Sequence, residues 1–198
     1  MLIEGWIALP DRPDAPWAAT NWPSQSRWLL AHASGNSWLA GSLDQKVTLA
    51  AVGSLRVAVI GSCPITTARL TDLVTKVSTL AELDVVARIL PGCFHLVASV
   101  DGAVRVQSSL TGARRVFHTR IHGMPIAGDQ AEVLAGMANP GAEKQALAVR
   151  MTGWWTTPSP MDECSRWPEM RALAPHHYLQ IDTSGTINEL CWCQAIPS

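Results

Sequence analysis

The residues that could carry chemistry are few and scattered. Cys191-Trp192-Cys193 offers half of a thiolate metal site. No further Cys or His stands at the spacing that would complete a tetrahedral set, so a pair of thiols on opposite faces of a strand is the simpler expectation and no metal is expected. His176-His177 carries two imidazoles, but it follows Pro175 and precedes a strand-like run, which reads as a loop packing on a closing hairpin. His95 lies within an apolar run, where a satisfied core histidine is the default. Arg114-Arg115 could grip a carboxylate bidentately, although at a strand entry structural pairing is the more usual role. With six His and five Cys in the chain, no Ser/His/Asp or Cys/His arrangement has a local signature. Tryptophan is the one enriched type, with nine Trp against one Tyr and two Phe. Trp17, Trp22, Trp154, Trp155 and Trp167 fall in Pro-containing stretches, and two readings stand open for them. They form a partner surface, where Trp supplies large contact area at small entropic cost, or they pack onto the core and loops.

The elements that must position these groups follow from periodicity. Short strands are expected at Gly5–Leu9, Arg27–His32, Ser37–Ala40, Val47–Ala51 and Leu55–Ile60, each bounded by turn-forming residues. Pro10–Ser26 between the first two reads as a surface loop. Thr67–Ser78 sets Leu70, Leu73, Val74 and Val77 at helical spacing. Thr79-Leu80-Ala81-Glu82 matches a capping box, starting a helix that carries Leu83, Val86, Ala87 and Leu90 inward until Pro91-Gly92. Cys93–Val100 and Ala103–Ser108 form a hairpin about Asp101-Gly102, with Val104 and Val106 on one face and Arg105 and Gln107 on the other. Strands at Arg115–Ile121 and Met124–Ala127 flank His122-Gly123. Asp129 and Glu132 then open a further helix to about Met137, and Glu143–Met151 is expected to form another. A loop over Gly153–Pro168 leads to a last hairpin, Tyr178–Asp182 with Thr186–Cys191.

Strands, helices, strands, helices and a closing hairpin follow one another without a βαβ rhythm. That predicts an α+β chain of antiparallel sheets packed with helices, in one domain spanning 1–198. Hydrophobic residues make up 47% and charged residues 16% of the sequence, enough to build a core. A formal net charge of −1 gives no footprint for nucleic acid, and no basic run addresses a membrane surface. No stretch approaches the ~20 apolar residues of a spanning helix. The five thinly spread cysteines fit reduced thiols and a cytoplasmic location.

The order of short motifs from Gly61 to Met137 resembles the amino-terminal amidotransferase-type domain of asparagine-synthetase-like enzymes. The residues concerned are Leu90-Pro91-Gly92-Cys93-Phe94, the Asp101-Gly102 hairpin, Thr111 to His118, and Ile126-Ala127-Gly128-Asp129 leading into Ala131–Ala135. Leu173-Ala174-Pro175-His176-His177-Tyr178-Leu179 looks like that family's approach to its last hairpin, and Trp192 and Pro197 look like its exit into the synthetase half. The resemblance implies an amino-terminal-nucleophile (Ntn) hydrolase-like αββα sandwich, two antiparallel sheets with helices on the outer faces. It also implies a cysteine at the position of Leu2, which has no nucleophilic atom. The family's Asn-Gly-Glu stretch, which grips glutamine, is expected near Ala50–Leu55, where only Gly53 fits. Both losses are expected of a domain whose glutamine site is no longer used.

Among family members lacking the cysteine, the chain is most similar to actinobacterial lasso-peptide cyclases, through Gly92-Cys93-Phe94-His95-Leu96-Val97-Ala98-Ser99 and Arg114-Arg115-Val116-Phe117-His118-Thr119. That resemblance implies an inactive glutaminase domain supporting an ATP-dependent, macrolactam-forming synthetase half. It implies no cofactor in this chain and ATP with Mg in the synthetase half, whose Ser-Gly-Gly-x-Asp-Ser loop does not occur here. The implied partners are that half, the precursor peptide, and the leader-binding and protease proteins of such pathways. A β-lactam-synthetase-like parent and a stand-alone module reusing the emptied pocket for a peptide or small molecule are the competing expectations.

Overall fold

The computed structural model describes residues 5–15, 27–42, 45–110, 113–138 and 170–193. Leu2, the five tryptophans named as a partner surface (Trp17, Trp22, Trp154, Trp155, Trp167), the helix expected at Glu143–Met151 and the loop at Gly153–Pro168 lie outside the described residues.

Twelve strands among the described residues form two antiparallel sheets of six. The first sheet holds β1 (Trp6–Ala8), β2 (Arg27–Ala31), β3 (Ser37–Ser42), β8 (Phe117–Ile121), β9 (Met124–Gly128) and β10 (Arg171–Ala172). They lie in the order β10-β8-β9-β1-β3-β2. The second holds β4 (Val47–Val52), β5 (Leu55–Ser62), β6 (Cys93–Val100), β7 (Ala103–Ser108), β11 (His177–Ile181) and β12 (Ile187–Cys191), in the order β12-β11-β7-β6-β5-β4. Three helices are described: α1 (Thr67–Val74), α2 (Leu83–Ile89) and α3 (Ala131–Ala138).

Side chains alternate faces along a strand, so a strand buried on both sides sends successive residues to different cores. In β6, Leu96 and Ala98 join the layer under α1 and α2 with Leu70, Val74, Leu83 and Val86. Their neighbour Val97 meets Val106, Leu179, Trp6 and Leu39 between the sheets. In β1, Ile7 packs outward against Leu134 and Ala135 of α3, while Trp6 and Ala8 face the second sheet. The result is the four-layer sandwich anticipated, helices outside and sheets inside.

Two hairpins turn as their sequences predict. Asp101 and Gly102 have φ of 47° and 83°, and His122 and Gly123 have 51° and 80°. Two consecutive positive φ values match the right-handed twist of the flanking strands. Gly92 is required differently: its φ is 110°, and a Cβ there would stand 2.2 Å from the Ser62 carbonyl oxygen. Only glycine fits where the chain leaves α2 and enters β6 against β5.

Three expectations are corrected. The first helix ends at Val74 rather than Ser78. The Thr71 and Thr75 hydroxyls bond back to the carbonyls of Thr67 and Thr71, and β-branched residues at the end favour other conformations. The box before α2 forms only in part: the Glu82 carboxylate accepts the Ser78 and Thr79 amides, but α-helix starts at Leu83. Asp129 does not serve as an ordinary helix cap, because its carboxylate is turned to β1, as follows.

Candidate functional site at the start of the first strand

At the amino-terminal end of β1 the two sheets meet over a compact polar cluster. The Gly5 amide donates to the Ser42 hydroxyl at 3.2 Å, and the Ser42 amide returns a bond to the Gly5 carbonyl at 2.9 Å. The Trp6 amide donates to Asp129 Oδ1 at 2.8 Å, and Gln45 Nε2 donates to Asp129 Oδ2 at 3.1 Å. Both carboxylate oxygens therefore hold the strand entry. Burial raises the Asp129 pKa, and the Trp6 amide, the Gln45 amide and the charge of Arg114 oppose that rise. The Arg114 guanidinium lies against Gly61, within 3.0 Å of where a Cβ would stand.

Trp6 then crosses the space between the sheets. Its indole Nε1 donates to Nδ1 of His95 on β6 at 3.2 Å, the two rings meeting edge to face with centroids 5.0 Å apart. His95 Nε2 donates to the Arg115 carbonyl at 3.0 Å. The two partners fix the tautomer: Nδ1 must be bare to accept from an indole that can only donate. Burial, with Arg114 adding repulsion and the Arg115 carbonyl opposing, lowers the His95 pKa from 6.5 to about 4. His95 is the satisfied core histidine expected, with a structural duty the sequence did not disclose.

A pH dependence follows. Because the folded pKa lies below the unfolded one, the unfolded chain takes up a proton first as pH falls. The contribution of neutral His95 is complete above pH 6.5 and is lost between 6.5 and about 4. On the order of 3 kcal/mol is at stake from such a shift. Urea midpoints measured from pH 7.5 to 4.5 should fall, and His95→Gln should be weaker at pH 7.5 with a shallower slope. Equal slopes for the two proteins would refute the assignment.

Ala50–Leu55 does not face this cluster. The β4–β5 hairpin turns at Gly53-Ser54, while its other end pairs Val47 with Ile60, next to Gly61 and the Lys46 carbonyl. Six residues of strand separate the two ends, about 20 Å at the usual rise. The glycine beside the site is Gly61, at φ 116°.

The structure also brings together groups the sequence left apart. His32 and Ser99 bond at 2.7 Å between Nδ1 and Oγ, with His32 Nε2 on the Leu9 carbonyl at 3.1 Å. This is a Ser/His pair, but both side chains are buried, so it ties the sheets instead of presenting a nucleophile. His118 Nε2 meets Glu189 Oε1 at 3.1 Å, a third bridge from the first sheet to the second. His176 and His177 lie where expected: the Trp192 amide bonds the His176 carbonyl, and His177 opens β11. Cys191 is exposed and Cys193 partly buried, on either side of buried Trp192. Among the described residues no three His, Cys, Asp or Glu groups gather as a metal set, and no helix is long and apolar enough to cross a membrane.

No family model matches the chain, and no curated protein matches it in sequence. Solved structures do match in fold. One is the glutamine phosphoribosylpyrophosphate amidotransferase of B. subtilis complexed with ADP and GMP, at 10% identity and a TM-score of 0.53. Another is described as the allosteric regulatory enzyme of purine biosynthesis, at 10% identity and a TM-score of 0.58. Each match covers 97% of this chain and 50% of the other, so the chain spans about half the length of these relatives in fold. The class is thus an Ntn-type glutamine-amidotransferase-like fold, α+β, with two antiparallel sheets between helices.

Proposed function

We propose that the chain is the non-catalytic amidotransferase-like domain of an ATP-dependent, macrolactam-forming lasso-peptide cyclase, an asparagine-synthetase homologue. Its role is to support the synthetase half, which supplies the ATP and Mg chemistry and meets the precursor peptide. The observation that carries this reading is the commitment of the site's polar groups. Asp129 accepts through both oxygens, and His95 spends its lone pair on Trp6 and its N–H on Arg115. His95 has no bare ring nitrogen left to take a proton from a nucleophile without giving up its bond to Trp6, and Asp129 is engaged in holding the Trp6 and Gln45 amides. Leu2, at the position where the family resemblance expects cysteine, has no atom that would need such a base. The ordered motifs from Leu90 to Ala135 support the asparagine-synthetase-like branch.

The test is glutamine hydrolysis. The purified chain should release ammonia from glutamine no faster than buffer. Joined to its synthetase half, with Mg-ATP and the precursor peptide, it should close the ring equally well with or without glutamine. Ammonia release by the chain, or ring closure that requires glutamine, would overturn the reading.

A further inference from the structure

We infer that Cys191-Trp192-Cys193 is a dithiol that a small disulfide closes into an intrachain disulfide, and that closing it tightens the hold of Trp192 on α2. This stands apart from the function proposed above. β12 ends at Cys191, and the chain bends at Cys193. The Cys191 thiol is exposed and turned along the chain, its S–H donating to the Cys193 carbonyl at 3.4 Å. A carbonyl oxygen stands about 2.4 Å from its own Cα, so Cys191 Sγ lies within about 6 Å of Cys193 Cα. The two cysteines are thus gathered by the bend instead of being held apart on opposite faces. A disulfide needs Cα atoms about 4.4–6.8 Å apart. In a fully extended strand residues i and i+2 stand at the far limit of that range, and a bend brings them within it.

Trp192 makes the pair more than two neighbouring thiols. Its ring is buried with Ala87 of α2 and Tyr178 of β11, and Cys193 packs against the same group. Its amide donates to the His176 carbonyl at 3.0 Å, and its carbonyl accepts from Arg88 Nη2 at 2.7 Å. Both bonds are made by backbone atoms that a Cys191–Cys193 disulfide would enclose in one small ring. The chemistry balances by thiol–disulfide exchange. Cys191, the more exposed of the two, attacks a low-molecular-weight disulfide as its thiolate. An S–S bond forms to one half of that molecule, and the other half leaves as a thiolate. The Cys193 thiolate then attacks the Cys191 sulfur and expels the second half. The two protons given up by the cysteines go to the two departing thiolates. The chain is thereby oxidised by two electrons, and the small disulfide is reduced to two thiols. Cys63, buried and with its thiol pKa raised by that burial, takes no part.

The test incubates the 198-residue chain with oxidised glutathione, alkylates the remaining thiols and digests with trypsin. The peptide Ala172–Ser198 holds Cys191 and Cys193 and no other cysteine. It should appear unalkylated and about 2 Da lighter than its dithiol form, the mass of two thiol hydrogens. Dithiothreitol should restore both thiols. Cys193→Ser should stop at one glutathione on Cys191. Exchange of the Trp192 amide hydrogen, followed by NMR, should be about tenfold slower in the closed chain, the scale of closing so short a loop in the opened state. A parent chain that keeps glutathione on Cys191, or that links either cysteine to another peptide, would overturn the dithiol. A closed chain whose Trp192 amide exchanges no more slowly than that of the reduced chain would overturn the hold on α2.

Discussion

Trp6→Ala should destabilise the protein by about 3–5 kcal/mol, the range for removing a large buried aromatic side chain. Trp6 is 1% exposed and stands between the sheets, among residues of β3, β5, β6 and β7. Truncation opens a cavity there and also removes the donor to His95 Nδ1. The two losses separate in part with Trp6→Phe, which keeps a buried aromatic ring and most of the volume while losing the N–H. That variant should cost about 1–3 kcal/mol, the penalty of a buried acceptor left without a partner. It should also raise the pKa of His95, because a bare Nδ1 facing a ring no longer meets a competing donor. Chemical denaturation gives the first quantity and histidine NMR titration the second. A Trp6→Phe protein as stable as the parent, with His95 still titrating near 4, would show the indole bond to be incidental.

Arg105 should rank with Trp6. Its guanidinium is wholly buried on the helix-facing side of β7. Nε donates to Gln107 Oε1 and Nη1 to the Leu80 carbonyl, each at 2.6 Å, and Nη2 pairs with Asp84 at 2.7 Å. The group lies 3.7 Å over the Tyr178 ring. Burial lowers its pKa, and Asp84 and Tyr178 act in the opposite direction, which is what a paired buried cation requires. Arg105→Ala strands these acceptors together and should cost about 3–5 kcal/mol. Arg105→Met fills the stem volume and should recover part of that loss, since Asp84 keeps access to water. Equal losses for the two variants would mean that charge alone matters at this position, not packing of the stem. A loss below ~1 kcal/mol for Arg105→Ala would refute the clamp.

Alternation placed Val104 and Val106 opposite Arg105 and Gln107, and β6 and β7 run over the residues expected, because a period of two with an Asp-Gly turn leaves little freedom. The same pattern could not say that the polar face was buried. That depended on α2 supplying Asp84, and the segment before it the Leu80 carbonyl, from another part of the chain. β10 was missed because two residues, Arg171 and Ala172, contain no period to detect. The site was harder still. Trp6 and His95 are 89 positions apart and Trp6 and Asp129 are 123 apart, so neither contact has a local signature. In sequence Asp129 looks like a helix cap because capping is the local use of that residue, but the long-range Trp6 amide takes its carboxylate instead. The α1 boundary failed for the converse reason, a local effect of threonine hydroxyls that hydrophobic spacing does not register.

The three histidine bridges between the sheets have a joint consequence. His32, His95 and His118 each contribute a buried ring to a contact between the first sheet and the second, and burial lowers the pKa of each. In linkage terms the proton is a ligand of the unfolded chain, with three binding sites that folding hides along one seam. Acid therefore acts on the sandwich as a cooperative denaturant would, with the steepness of the transition counting the protons admitted. The seam between the sheets is thus a place where acid weakens this fold.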